Sequence, residues 1–123
     1  MIKADVENLA EELEDMGKRE KRALRSRTVV LLAQLLRYAY QPERRGPRRT
    51  GTIREQRKQL DALLRDSPSL KLRLIDDLED SYISARLLVA GETDMPEQAV
   101  PSSCPYTLEE LIDEHYWPQS TMA

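Results

Sequence analysis

Apolar positions recur every three or four residues along most of the chain, and no stretch alternates in the manner of a half-buried strand. Val6, Leu9, Leu13 and Met16 follow Asp5, an N-cap residue type, and the acids of that first turn suit the positive end of a helix dipole. Gly17 is expected to interrupt this helix, either as a C′ residue or as a tolerated kink. A second helix is predicted from about Lys18 to Tyr40. Its stripe of Leu24, Leu31, Leu35 and Tyr38 is widened by Val30, Leu32 and Leu36, which predicts a central helix buried on most sides. Pro42 stops it.

Thr52 and Glu55 read as a capping box, T-x-x-E, so a third helix is predicted to open at Thr52. Its inner stripe is Ile53, Gln56, Leu60, Leu63 and Leu64. At the break that follows, Ser67 is read as a cap and Pro68 as the first position of a fourth helix reaching Ala90, with Gly91 ending it. Leu70, Leu74, Ile75, Leu78, Tyr82, Ala85, Leu88 and Val89 form its apolar set. Residues 92–105 read as a proline-punctuated crossing with a single turn after Pro96. The last helix opens at Thr107 with Glu110, a second capping box, and Tyr106 and Leu111 stand at the positions of a hydrophobic staple. Leu108, Leu111, Ile112 and Tyr116 face inward, and Pro118 ends it. The predicted fold is all-α: a small helical bundle of about five helices with two long central helices, in a single domain spanning residues 1–123.

Composition refines this picture. A chain of 123 residues can bury roughly two-thirds of the surface its unfolded form exposes, so it needs no staples. With no Phe and 5% aromatic residues, the core must be aliphatic. Cys104 is the only cysteine, which excludes an internal disulfide and points to a reducing compartment. No apolar run approaches the length of a membrane span, and the N-terminal residues lack the apolar region of a signal peptide. A cytoplasmic protein is therefore expected.

The formal net charge is −3, but the charges are segregated. Residues 1–17 are acidic and residues 18–28 basic. From Arg37 to Lys58 the chain reads RYAYQPERRGPRRTGTIREQRK, with Glu43 and Glu55 as its only acids. Pro42, Gly46, Pro47 and Gly51 break its middle, which places the charge on an exposed connection between two helices. Clustered arginine suits phosphate or carboxylate partners, and Arg44, Arg45, Arg48, Arg49, Arg54 and Arg57 are the candidate anion- or partner-binding residues. Acids outnumber bases after Lys58, so salt-bridged attachment to the protein's own acidic helices or to a second subunit is the alternative expectation. Tyr38 and Tyr40 lie near enough in sequence for base stacking, but the pI of about 5.3 argues against a dedicated nucleic-acid binder.

Catalytic and metal chemistry find little purchase. His115 lacks companions at metal-ligand spacing. Cys104 needs a base, and only His115 could serve. Asp76, Glu79 and Asp80 share one helix face, read as solvated or paired with the arginine-rich segments. No catalytic residue, cofactor or metal is expected.

The stretches VENLAEELEDMGKREKRALRSR, LLAQLLRYAYQPERR, TIREQRKQLDALLRDSPSL and CPYTLEELIDEHYWP resemble, in order, the bacterial family called domain of unknown function 29. The resemblance implies an all-helical fold and brings no catalytic residues with it. Relatives usually carry a preceding D-F-x-x-W segment, a histidine where Gln34 stands, and a tryptophan before Thr52-Ile53-Arg54-Glu55-Gln56-Arg57. The missing tryptophan weakens a stacking role for the basic segment. The missing segment leads to the expectation of an open apolar groove and of self-association through the stripe of Val6, Leu9, Leu13 and Met16. The sequence thus reads as a non-enzymatic interaction module that forms a homo-oligomer or binds a protein partner. A nucleic-acid or phosphate binder acting through residues 37–58 is the alternative.

Overall fold

The computed structural model describes residues 2–92 and 95–118, with side chains described from Gly17 onward apart from Arg44 and Glu92. It contains four α-helices, three of them long: α1 (Ile2–Tyr40), α2 (Pro47–Asp66), α3 (Leu70–Glu92) and the short α4 (Leu108–Ile112). Single 3-10 turns stand at Pro42–Arg44 and Glu97–Ala99, and no strand occurs among the described residues.

The expected five helices become four because Gly17 does not break the first. It lies inside the continuous 39-residue α1 with a negative φ, so it is not a left-handed C′ residue. A glycine inside a helix costs about 1 kcal/mol relative to alanine, which strong helix formers on both sides offset. The side chains of Val6, Leu9, Leu13 and Met16 lie outside those described.

Pro42 ends α1 as expected, after a last helical bond from Gln41 N–H to the Arg37 carbonyl (2.8 Å). The next helix opens earlier than the Thr52 capping box implied. Gly46 is the N-cap and Pro47 occupies the first turn, where a missing N–H costs nothing. Thr52 is already helical, and its hydroxyl donates to the Arg48 carbonyl (2.9 Å). The connection is therefore short, residues 41–46, and most of the arginine segment belongs to α2. At the far end Ser67 is the C-cap of α2, and Pro68 lies in the turn before Leu70, where α3 begins. The Thr107 capping box is present as read: the Thr107 hydroxyl accepts from Glu110 N–H (3.2 Å) and the Glu110 carboxylate from Thr107 N–H (3.0 Å).

α1 is the spine. It packs against both α2 and α3, which hardly touch each other. Contacts from Gln34 to Arg49 and from Glu20 to Ser67 (3.0 Å) lie at opposite ends of α2, so α2 runs antiparallel to α1. The core is aliphatic: Leu31, Leu32, Leu35 and Leu36 of α1, Ile53, Leu60 and Leu64 of α2, Leu74 and Val89 of α3, and Leu111 of α4 are fully buried. Tyr82 and Tyr106 are its principal aromatic members. Ile75 and Leu88, members of the apolar set of α3, are exposed. No described helix is long and apolar enough to cross a membrane.

Tyr82 ties α3 to the crossing segment through a hydrogen bond from its hydroxyl to the Pro101 carbonyl (2.5 Å). Burial, assisted by Tyr40 and Cys104 nearby, pushes its phenol from 10.0 up to about 12. A folded-state value raised above the free one stabilises below the free value and is lost as pH climbs toward the folded one. Stability should accordingly fall between pH 10 and about 12, and Tyr82→Phe should lessen that loss, to which the raised Tyr106 and Tyr116 phenols also contribute, while costing about 1 kcal/mol at neutral pH. Denaturant melts at each pH check both.

Gly51 offers a second test. It lies within α2 with nothing near the position of an added Cβ. Gly51→Ala should raise stability by about 1 kcal/mol in a urea melt. With Thr52 as the N-cap, residue 51 would lie outside the helix and alanine would bring no such gain.

Candidate functional site

Because α2 opens at Pro47, the six candidate arginines have separate environments. Arg44 closes the 3-10 turn, and its side chain lies outside those described. Arg45 turns back onto the end of α1. Its Nε donates to the Tyr38 carbonyl (2.6 Å), its Nη2 to the Ala39 carbonyl (3.3 Å), and its guanidinium lies 4.6 Å above the Tyr38 ring. Those carbonyls belong to the last turn of α1, where no helical N–H remains to satisfy them. Arg48 is exposed on the first turn of α2, and Arg49 donates to the Gln34 side-chain oxygen on α1. Both line a shallow groove of about 570 Å³ with Gln34, Glu43, Gly46 and Thr52.

Arg54 and Arg57 stand further along α2. Arg54 is exposed, with its guanidinium 6.0 Å from the Trp117 ring centre. Arg57 is 2% exposed. Its Nε donates to the Leu111 carbonyl (2.9 Å) and its Nη2 to the Glu110 carbonyl (3.1 Å), closing the C-terminal end of α4. Trp117 and Tyr116 lie 5.3 and 5.9 Å from its Cζ, within cation–π range. Trp117 in turn packs on Tyr38 of α1 at 5.0 Å. Arg57 therefore fastens the C-terminal segment across α2 and α1. Burial lowers its pKa, with Asp113 and Tyr116 opposing the shift. Its Nη1 is buried and has no hydrogen-bond partner.

Arg57 was visible to the sequence only as one cation among eight. Its position was the signal: Ile53, Arg57, Leu60 and Leu64 recur at i, i+4, i+7 and i+11 and are all buried, whereas Gln56, assigned to that stripe, is half-buried. The Trp117–Tyr38 contact joins residues far apart in the chain and leaves no local trace.

The described contacts of Arg45, Arg49 and Arg57 run to carbonyl and amide oxygens rather than to the acidic helices. Three acids of α3 are engaged elsewhere. Asp80 pairs with Arg25 of α1 (2.6 Å), Asp77 with Arg73 (2.8 Å), and Glu79 accepts from Cys104 N–H (3.1 Å). It is thus the 18–28 basic stretch, through Arg25, that meets α3.

The groove between α2 and residues 112–115 measures about 790 Å³ and is lined by Arg54, Arg57, Lys58 and His115 among others. His115 is solvent-exposed, with its ring 3.4 Å from the Glu114 carboxylate. Cys104 is half-buried, and its thiol donates to the Tyr106 carbonyl (3.3 Å). Burial pushes that thiol up, with only the Tyr106 contact pulling it down, so it stays protonated near neutral pH. The described residues contain no group of three or more His, Cys, Asp or Glu placed to hold a metal ion.

Fold and site together define a class: an all-helical bundle built on one long spine, with a short C-terminal helix clasped by a buried arginine. Within that class the chain belongs to the family described as Domain of unknown function DUF29, whose profile matches residues 1–117. No curated protein and no solved structure matches it.

Arg57→Ala removes two charge-assisted bonds to otherwise unmet carbonyls and should cost about 3 kcal/mol, read by urea denaturation. Arg57→Lys should recover little of that loss, because a single ammonium lacks the planar fork that reaches both carbonyls. Trp117 fluorescence should report release of the segment.

Proposed function

We propose that this protein is a non-enzymatic interaction module that pairs with a second copy of itself through the outward face of α3. The observation carrying this reading is the exposure of Leu72, Ile75, Ile83 and Leu87, at 71%, 51%, 50% and 54%. They lie on the solvent side of the helix within about a third of its circumference, at 3.6 residues per turn. Lone exposed aliphatics need no explanation, but four on one face form a patch of the kind that marks a contact surface.

The spacing of these residues favours a second copy as the occupant. Ile75 and Ile83 stand four residues either side of Glu79, and Leu72 and Leu87 stand seven and eight residues from it. Two such helices laid antiparallel across a two-fold axis near Glu79 bring Leu72 opposite Leu87 and Ile75 opposite Ile83, which is the self-complementarity of an isologous interface. Glu79 at that axis is held aside by its bond to Cys104 N–H. The non-enzymatic reading is supported by the protonated, half-buried Cys104 and by the solvent-facing His115 beside Glu114.

Light scattering in solution tests this. The chain should run as a dimer at tens of micromolar, and Leu72→Glu with Leu87→Glu should make it monomeric with unchanged helical circular dichroism. A strict monomer at that concentration, or a dimer indifferent to both substitutions, overturns the proposal.

A further inference from the structure

We propose that the groove between α2 and residues 112–115 binds a single dianionic phosphate group, held by Arg54 and Lys58 beside the buried charge of Arg57. The three cations stand at i, i+3 and i+4 on α2 and so share one face, and all three line the groove. The acids around them have other partners. Asp61 pairs with Arg65 (3.0 Å), Glu55 accepts from Gln59 (2.8 Å), and Glu114 lies beside His115. Arg54 and Lys58 are exposed and take part in no ion pair among the described residues.

Arg57 supplies the second, independent observation. It is 2% exposed, forms part of the groove wall, and keeps a buried Nη1 with no acceptor. A buried guanidinium ordinarily meets a carboxylate, because an uncompensated charge in a low-dielectric setting is costly. Here its contacts are two carbonyls and two aromatic faces, and Asp113 offsets its charge only through space, without an ion pair, so its hydrogen bonding is largely met while part of its charge remains.

Two unpaired cations over that charge match a doubly charged oxyanion. Arg54, lying over Trp117, is already oriented, which reduces the cost of ordering it on binding. The interspersed Glu55, Asp61 and Glu114 face whatever enters the groove, and they oppose a nucleic-acid strand whose phosphates would pass over each in turn. A single phosphate, free or carried on a small molecule, needs to approach only Arg54 and Lys58. The other arginine groove, with Arg48 and Arg49, has no comparable buried and unpartnered donor and is the natural control.

The test is titration of the intact chain with inorganic phosphate in low salt, followed by calorimetry and phosphorus NMR. Arg54→Gln and Lys58→Gln should each weaken binding about tenfold, the loss of one charge-assisted contact, and Arg48→Gln should leave it unchanged. All three residues are exposed, so the variants should fold, which circular dichroism verifies. Absence of phosphate binding by the wild-type chain overturns the proposal, as does equal weakening by Arg48→Gln. A DNA or RNA oligonucleotide that binds more tightly than phosphate and is weakened alike by all three variants also overturns it, in favour of a diffuse polyanion surface.

Discussion

α2 and α3 hardly touch, so each depends on α1 for its place in the bundle. That constraint governs the sequence of the C-terminal half of α1, where Leu31, Leu32, Ala33, Leu35 and Leu36 are all buried. A helix packed on one side needs a single apolar stripe, whereas one packed on two flanks needs apolar residues nearly all round. The polar groups that survive there are matched locally. Thr28, buried among these leucines, returns its hydroxyl to the Leu24 carbonyl (2.6 Å). With no Phe available, shape is filled by many leucines of similar volume, and tyrosines enter at the edges where their hydroxyls can reach backbone.

What was legible in the sequence followed from local rules. The 3.6-residue period located the buried face of α1, and the Thr107–Glu110 box located α4, because each signal is complete within a turn or two of helix. Two local signals competed at the start of α2, and the weaker one was more conspicuous. Thr52 with Glu55 has the form of a capping box, yet Pro47 lets the helix open five residues earlier. Gly51 then becomes an interior glycine at a cost the rest of the helix absorbs. Gly17 misleads for the same reason. Glycine lowers helix propensity without forbidding the helix, and a continuous α1 forms through it. On α3, Ile75 and Leu88 fit the helical period as well as any core residue. Which apolar positions lie inside depends on where α1 packs, and sequence spacing does not contain that.

The candidate site was legible as a composition and not as an arrangement. Eight cations between Arg37 and Lys58 read as one exposed connection, but the chain divides them among the end of α1, a short turn and α2, where each faces its own surroundings. Arg45 and Arg57 act alike at different places: each folds its planar fork onto the unmet carbonyls at the end of another helical segment and lies against an aromatic ring. Lysine could not do this, since it offers a point charge and no bidentate plane. At these two positions arginine thus has a structural role, independent of any ligand.

That structural role leaves the electrostatics of α2 unresolved within the molecule. A carbonyl oxygen accepts a hydrogen bond but carries no net charge, so capping α4 satisfies donors of Arg57 without cancelling its cation. Salt screening, which weakens the exposed Arg65–Asp61 pair, reaches a buried charge poorly. Arg57 thus lines the neighbouring groove together with Arg54 and Lys58 from the same face, with Asp113 offsetting its charge only through space. A residue chosen to hold the C-terminal segment in place thereby also charges the surface beside it. Its structural and electrostatic consequences are inseparable, because the group that makes the clasp is itself the cation.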